Sequence, residues 1–454
     1  MTTMISQNYT TESMDTLLPR YYKEYGLYVN NFRSFPLDLD GLKPVERRVL
    51  VVAHSIAKAR FVKCAKIDGT CTAMYHPHGT AYGTLVQLAR QGFLDQQGNF
   101  GNDYGTKPSP PAAMRYTEAK LNSEIDEMCF KLIDYVPWID GEIEDKEPQF
   151  IPTRYPMCLL GKEYTEGIGF GYNTFIPCYS KQDLLKRLLW LLGVEKDKPT
   201  IKPITDCKIL SGDDELEELL TTGRARIQVQ GSLITDNVKY KAVIKSKPPK
   251  KTFDKILKAI SKEMESGDIG YMDSSNKKYG TSIVFTVLKQ RNVDKIFANC
   301  VGKLKEVLTG NMFFNTVVSD LKGTISVVSI DELLRRSYAM YCEVNKAMLE
   351  SQITKIKVDI LELKYLEKIK PELAKRMKTI HYDFNQAVKE ISENTKIQED
   401  IVRDILSKYR IRKLFTVTTD TKELEVMKTE LESNLKNIKD LVLKQYMEDN
   451  INAV

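Results

Sequence analysis

From Ile330 onward the apolar residues fall on the stripe of one long helix. Leu349, Ile353, Ile356, Ile360 and Leu363 alternate spacings of four and three, the pattern of a coiled-coil seam. The stretch from Ile330 to Ile369 would run ~60 Å as a helix, so its apolar stripe needs a partner. A second seam, Leu424, Met427, Leu431, Ile438 and Leu441, supplies one. The two long helices then form an antiparallel arm, and residues from about 370 to 420 form a smaller helical insert between them. Read as an element used only for dimerisation, such a coiled coil implies a homodimer.

With 454 residues, the chain is too long for a single core, and two to four domains are expected. Between about residues 31 and 150 the pattern is helix-rich. Pro44 suits a first helical turn, and Val45, Val49, Val52, Ala53 and Ile56 recur at helical spacing. A second helix follows His78-Gly79, with Tyr82, Leu85, Val86 and Ala89 as its buried stripe, and the pair suits a helix-turn-helix core. Asp95 to Pro111 is dense in Gly, Asn, Ser and Pro and reads as loop. From Ser180 to Thr324 the pattern is mixed: Ala225–Gly231 and Thr281–Leu288 read as strands and Phe253–Met264 as one amphipathic helix. The fold class is therefore α+β, multidomain.

No apolar run reaches the ~18 to 20 residues of a bilayer span, and Met1 to Arg20 lacks the apolar core of a signal peptide. A cytoplasmic location with no membrane partner is expected. Eight cysteines without a CxxC pair read as reduced, buried small hydrophobes. The net charge of +6 is mild, so its distribution matters more than its sum. Between Gly41 and Ile67 lie Lys43, Arg47, Arg48, Lys58, Arg60, Lys63 and Lys66 against Glu46 alone, and His54, His76 and His78 lie in or just beyond that stretch.

Pro111-Ala112-Ala113-Met114-Arg115-Tyr116-Thr117-Glu118 places a tyrosine beside an arginine, just before what reads as a helix. A phenol with a pKa near ~10 is about one part in a thousand phenolate at pH 7, so a nucleophilic tyrosine must recover roughly 4 kcal/mol from its surroundings. The permanently charged guanidinium of Arg115 would supply part of that, and its planar fork matches two oxygens of a phosphate. The natural electrophile is a phosphodiester.

Asp40-Gly41-Leu42-Lys43-Pro44-Val45-Glu46-Arg47-Arg48-Val49-Leu50, Tyr75-His76-Pro77-His78-Gly79 and Asp95-Gln96-Gln97-Gly98-Asn99-Phe100-Gly101, with the Arg115-Tyr116 block, closely resemble the breakage-reunion (A-type) subunit of type IIA DNA topoisomerases, the family of gyrase A and topoisomerase IV A. The resemblance implies an N-terminal arm (1–30), a winged-helix (CAP-like) cleavage domain (31–150), an α/β tower domain (151–325), and a coiled coil with a helical exit-gate insert (326–454). It makes Tyr116 the nucleophile on double-stranded DNA, leaving 5′-phosphotyrosine links, and Arg115 the stabiliser of the pentacovalent phosphate. Arg33, Lys43 and His78 fall on positions near the scissile phosphate, Arg47, Arg48 and His76 on neighbouring backbone phosphates, and Ile168 on a wedge that bends DNA. Ile405 to Thr416 resembles the exit-gate signature. The resemblance also implies a B-type ATPase/TOPRIM partner that brings Mg²⁺ and ATP, with two copies of each chain in a heterotetramer. A short form without a β-pinwheel after Val454, like the A-type subunit of T4-like phage topoisomerases, is expected, and with it relaxation or decatenation rather than wrapping-dependent supercoiling. Thr80-Ala81-Tyr82-Gly83 is two residues shorter than the bacterial pattern, in a segment that helps bind quinolones in the family.

Other readings remain at this level. Gly167-Ile168-Gly169-Phe170-Gly171 invites a dinucleotide fingerprint, but the spacing is wrong for GxGxxG; the alternative to the wedge is that Ile168 is a core residue between glycines. His76 and His78 could bind zinc, although no third ligand lies nearby in sequence. The lysine-rich stretch from Lys241 to Lys251 is either a solvated loop or a DNA-backbone contact. A dimeric architectural DNA-binding protein would need no nucleophile, and a tyrosine recombinase or nicking enzyme would have no use for paired coil gates.

Overall fold

The computed structural model describes residues 12–143, 145–162, 164–289, 291–376, 383–408 and 414–451. It divides into two compact units, residues 1–341 and 342–454. The first unit opens with α1 (Met14–Val29), capped by Ser13, whose side chain accepts from the Asp15 amide. After a π-helical turn the chain reaches Asp40, which is fully buried. Its carboxylate accepts from Arg47 Nε at 2.7 Å, Arg47 Nη2 at 3.1 Å, and the amides of Leu42 and Ile151. Its carbonyl accepts from the Met157 amide at 2.7 Å. Gly41 has φ +69°, and a Cβ there would lie 2.6 Å from the Met157 and Cys158 amide nitrogens, so no other residue fits.

α2 (Pro44–Ile56) starts with Pro44 in its first turn, and the Glu46 carboxylate accepts from the Lys43 amide. Val49, Leu50, Val52 and Ala53 are its buried face. The chain continues through β1 (Val62–Lys63), α3 (Cys64–Met74), α4 (Tyr82–Gln91), β2 (Leu94–Gln97), β3 (Glu118–Leu121) and α5 (Ser123–Phe130), and the strands form an antiparallel sheet in the order β1-β3-β2. Two sequence expectations change. The element directly after Tyr116 is the strand β3, because Ala119 and Leu121 alternate inward with period two; the helix α5 begins only after the Asn122 cap. The stretch from Asp95, expected as loop, begins as a strand, since Asp95, Gln96 and Gln97 pair with β3. α3 has no counterpart in the sequence pattern, because Cys64, Ile67 and Cys71 make a weakly apolar stripe.

A hairpin of β4 (Trp138–Asp140) and β5 (Lys146–Pro148) precedes β6 (Tyr164–Ile168), β7 (Asn173–Pro177), α6 (Lys181–Leu191), β8 (Lys208–Ile209), α7 (Asp213–Thr222) and β9 (Arg224–Gln230). In β9, Ala225, Ile227 and Val229 point inward as their alternation predicts. Next come β10 (Leu233–Asp236), β11 (Lys241–Ile244), α8 (Phe253–Ala259), α9 (Ser261–Glu265), β12 (Ile269–Asp273), β13 (Ile283–Val287), α10 (Val293–Leu308), β14 (Thr309–Asn315), β15 (Val317–Ser319) and β16 (Ile325–Val327). One sheet runs β6-β7-β14-β9-β8 and another β10-β11-β13-β12. The helix expected over Phe253–Met264 is two, broken at Ile260, which leaves helical geometry at φ −118° and ψ 15°. The lysine-rich stretch is a strand for its first four residues. In its remainder Lys250 lies over the Phe175 ring and beside Glu166, so it is no freely solvated loop.

α11 (Ile330–Arg376) starts in the first unit, where Asp331 pairs with the fully buried Arg187. Arg187 also grips Glu217 of α7 at 2.7 Å and the Pro199 carbonyl, which ties three helices to one guanidinium. In the second unit α11 lies antiparallel to the helices Lys422–Lys436 and Ile438–Ile451, as Asn345–Gln445, Lys357–Glu432 and Lys364–Glu425 show in turn. Leu349, Ile353, Ile356 and Ile360 are buried as the spacing requires. Met427, expected in the second seam, is instead 51% exposed, on a helix that buries none of its residues; beyond the break at Asn437, Val442 and Tyr446 are buried. α12 (Phe384–Thr395) and α13 (Glu399–Lys408) close the insert around Leu366, Ile369, Val388, Ile391, Val402 and Ile405. Tyr409 to Lys413 of the exit-gate signature lie outside the described residues.

Removing one partner of a buried ion pair leaves an uncompensated charge. Asp40→Asn is therefore expected to cost about 3 kcal/mol or more of stability, read as a lower urea midpoint.

Candidate active site

The loop from Ala112 to Thr117 is fixed through its backbone. Ala112 donates to the Asn99 carbonyl, the Ala65 amide donates to the Met114 carbonyl, and the Cys64 amide donates to the Thr117 carbonyl at 2.9 Å. Cys64 and Ala65 begin α3, so the loop satisfies amides that a helix N-terminus leaves open. The phenol of Tyr82 reaches the same loop, 2.5 Å from the Ala112 carbonyl. Thr117 is fully buried, whereas Tyr116 next to it is 64% exposed. The Arg115 guanidinium lies 4.7 Å from the centre of the Tyr116 ring and has no hydrogen bond or ion pair among the described residues. Behind the loop, Arg90 of α4 donates to the Phe100 carbonyl and pairs with Asp103, bracing the Gly-Asn-Phe-Gly turn.

Arg33, His76, His78 and Arg48 come together elsewhere, around two carboxylates that the sequence motifs do not mark. Arg33 donates to His78 Nδ1 at 2.6 Å, which assigns the ring proton to Nε2; that nitrogen lies 2.8 Å from Glu142 Oε2. Tyr28 donates to the same Glu142 oxygen at 2.8 Å. Arg48, only 3% exposed, pairs with Glu142 at 2.9 Å and Glu147 at 2.7 Å, and its other nitrogen faces His76 Nδ1 at 3.4 Å. Burial pushes the Glu142 carboxyl up, but the hydrogen bonds from Arg48 and Tyr28 and the charge of Arg48 outweigh it and hold the group below the usual carboxylate range. Burial and then the Arg48 charge push His76 below the ordinary histidine value. An arginine donor on each Nδ1 leaves neither histidine in the role of a zinc ligand through that nitrogen. Among the described residues no group of three or more His, Cys, Asp or Glu could hold a metal.

Arg47 stands apart from both clusters. Expected at a DNA phosphate, it is buried against Asp40 and presents no free fork to a ligand. Lys43 donates to the Glu166 carbonyl at 2.7 Å, beside the strand that carries Ile168. Ile168 is 86% exposed at the tip of the β6–β7 hairpin, which excludes the core reading. Its flanking glycines allow close packing: a Cβ on Gly167 would run into the Ser34 carbonyl, and one on Gly169 into Asn30. Asn30 also bonds both backbone groups of Phe170. A hairpin rather than a strand and helix follows this motif, so the dinucleotide reading fails. No described contact joins Arg115 or Tyr116 to the Arg33–His78 cluster. The acidic run from Asp140 to Glu147, facing so basic a stretch, was the signal for Glu142 and Glu147; nothing in the sequence marked Tyr28.

Residues 33–452 match the family of the A-type subunits of DNA gyrase and topoisomerase IV. The chain belongs to that family. It is 30% identical to the DNA gyrase A-type subunit of Mycolicibacterium smegmatis over 70% of this chain and 40% of that protein. The DNA gyrase A-type subunit of Helicobacter pylori strain J99 is 28% identical over 99% of this chain and 56% of its own length. The A-type subunit of DNA topoisomerase 4 from Neisseria gonorrhoeae is 31% identical over 56% of this chain and 36% of its own. The chain thus spans about half the length, or less, of the curated relatives it matches. Among the described residues no helix is long and apolar enough to cross a membrane.

The pH dependence of stability has a definite sign. His76 titrates below its ordinary 6.5 in the folded state, so the unfolded chain takes up the proton first, and stability present above about pH 6.5 is lost as pH falls below it. Glu142 sits below its ordinary 4.5, so its contribution is held above about pH 4.5 and lost in more acid solution. Urea midpoints measured from pH 8 to pH 4 are expected to show both losses, and His76→Gln should remove the first while leaving the second.

Proposed function

We propose that the chain is the DNA-cleaving subunit of a type II DNA topoisomerase, with Tyr116 as its nucleophile. In this reading the Tyr116 Oη–phosphorus bond forms as the bond from phosphorus to the 3′ oxygen breaks. The phenol gives up its proton and the departing 3′ oxygen takes one, so a 5′-phosphotyrosine and a 3′-hydroxyl result. One phosphoester replaces another, which lets the 3′-hydroxyl reverse the reaction without an outside energy source.

The observation that carries the reading is the contrast among the arginines. Arg47 and Arg48 are buried on carboxylates, while Arg115 is exposed, unpaired among the described residues and stacked on an exposed tyrosine whose backbone is held in place. Rotation of Arg115 off the ring would bring its fork to the phosphate under attack, where charge builds up. Arg33, Lys43 and His78 would stand near that phosphate, His76 by a neighbouring one, and Arg48 would act by holding Glu142 and His76. The helices α2, α3 and α4 with the sheet β1-β3-β2 are read as a winged-helix domain, the two larger sheets as a tower, and the antiparallel helices of the second unit as a coiled-coil gate that pairs two copies. Mg²⁺ and ATP would come with a separate B-type partner in a heterotetramer, as the family resemblance implies.

With supercoiled plasmid, Mg²⁺, ATP and a competent B-type partner, treatment with SDS and protease is expected to release linear DNA. Tyr116→Phe should abolish it, and Arg115→Ala should slow cleavage by about 10²- to 10³-fold. Plain DNA binding without cleavage in the wild type would favour a dimeric architectural protein instead.

Ile168 would serve as the wedge of the bent duplex. Ile168→Ala is expected to reduce bending, read by energy transfer between the ends of a labelled duplex, with less than about 0.5 kcal/mol change in stability because the side chain is exposed.

A further inference from the structure

We propose that Tyr82 is a positioning residue for the loop that carries Arg115 and Tyr116; the inference rests on Tyr116 being the nucleophile. Tyr82 is the first residue of α4. Its hydroxyl lies 2.5 Å from the Ala112 carbonyl and 3.0 Å from Thr117 Oγ1. One phenol therefore spans both ends of the loop: it donates to Ala112 and keeps a lone pair for the Thr117 hydroxyl. Thr117 is fully buried, so no solvent competes for that contact.

Tyr82 is itself held from α3. The buried carboxylate of Asp68 accepts from the Ala81 amide at 2.6 Å and from the Thr80 hydroxyl at 2.9 Å, and Thr80 Oγ1 in turn accepts from the Tyr82 amide. The same helix holds the loop directly through the Cys64 and Ala65 amides. α3 thus fixes the loop twice, once through its own N-terminus and once through Asp68, Thr80 and Tyr82. The ring so closed leaves the exposed Tyr116 side chain as the projecting part. With its hydroxyl engaged by Ala112 and Thr117, Tyr82 acts by where it sets Tyr116, and a displacement of about 1 Å can cost about 10² in rate.

The test compares wild type, Tyr82→Phe, Thr117→Val and the double variant, each with the B-type partner, plasmid and Mg²⁺. Cleavage rate per folded molecule and DNA dependence are measured. Tyr82→Phe keeps the ring and its packing and removes only the hydroxyl. The expected result is at least a tenfold slower cleavage at saturating DNA, an apparent KM for DNA within about twofold of wild type, and a double variant no slower than the slower single one. A structural role alone would lower the folded fraction and the urea midpoint and leave the rate per folded molecule unchanged; that outcome overturns the inference, as does a change confined to KM. Should Tyr82→Phe fail to fold, Thr117→Val alone decides, and a wild-type rate in it overturns the inference. If the wild type itself does not cleave with a competent partner, the reading of Tyr116 falls, and the inference falls with it. Cleavage by the wild type, none by Tyr116→Phe and a wild-type rate in Tyr82→Phe would sink the inference alone.

Discussion

The pair between Arg47 and Asp40 holds together parts of the chain that are far apart in sequence. Asp40 receives the Arg47 fork, two backbone amides and, through its carbonyl, the Met157 amide, all without solvent. Each of these bonds works in a medium of low effective dielectric, where a satisfied carboxylate is strongly held and an unsatisfied one is costly. The pair sets the start of α2 against the segment from Ile151 to Cys158, and so the direction in which Lys43 and Arg48 leave the helix. Lys43 is thereby brought to Glu166 and Arg48 to Glu142 and Glu147. The glycine at position 41 belongs to the same arrangement, since only a residue without a side chain lets the two backbones approach.

A chain proposed to act on a polyanion would have to divide its cations between building and binding. The dense basic run near α2 gives no hint of that division. Arg47 is lost to the interior, and Arg48 is shared by two carboxylates and one histidine. Arg115, in a less basic stretch, keeps its guanidinium in solvent on the face of the tyrosine. Formal charge counts therefore overstate the positive surface around α2. Glu142 and Glu147 fall in a separate hairpin, and the fold brings them back over the helix.

Much of the architecture could be read directly. The seam from Leu349 to Ile360, the helix from Pro44, the helix after His78-Gly79 and the alternation in β9 follow from local periodicity, because each side chain's inward or outward direction is set by its position along one regular element. Where the reading missed, the signal was not local. α3 buries two cysteines and one isoleucine, too small a stripe to announce a helix, and β3 shows its strand character only by pairing with β1 and β2. Met427 fits the heptad on paper but lies on the helix Lys422–Lys436, which buries none of its residues.

The same division holds for the candidate site. Sequence alone determined that an arginine stands beside Tyr116, that two histidines sit two apart, and that Ile168 lies between glycines, since those are facts of covalent order. Tertiary structure decided which of these groups are available. It put Ile168 at a hairpin tip, turned Arg47 inward, joined His78 to Glu142 across 64 residues of chain, and set the Tyr82 hydroxyl on both ends of the Tyr116 loop. Hydrogen bonds and ion pairs between distant residues depend on distances of a few ångströms, which no spacing along the chain encodes.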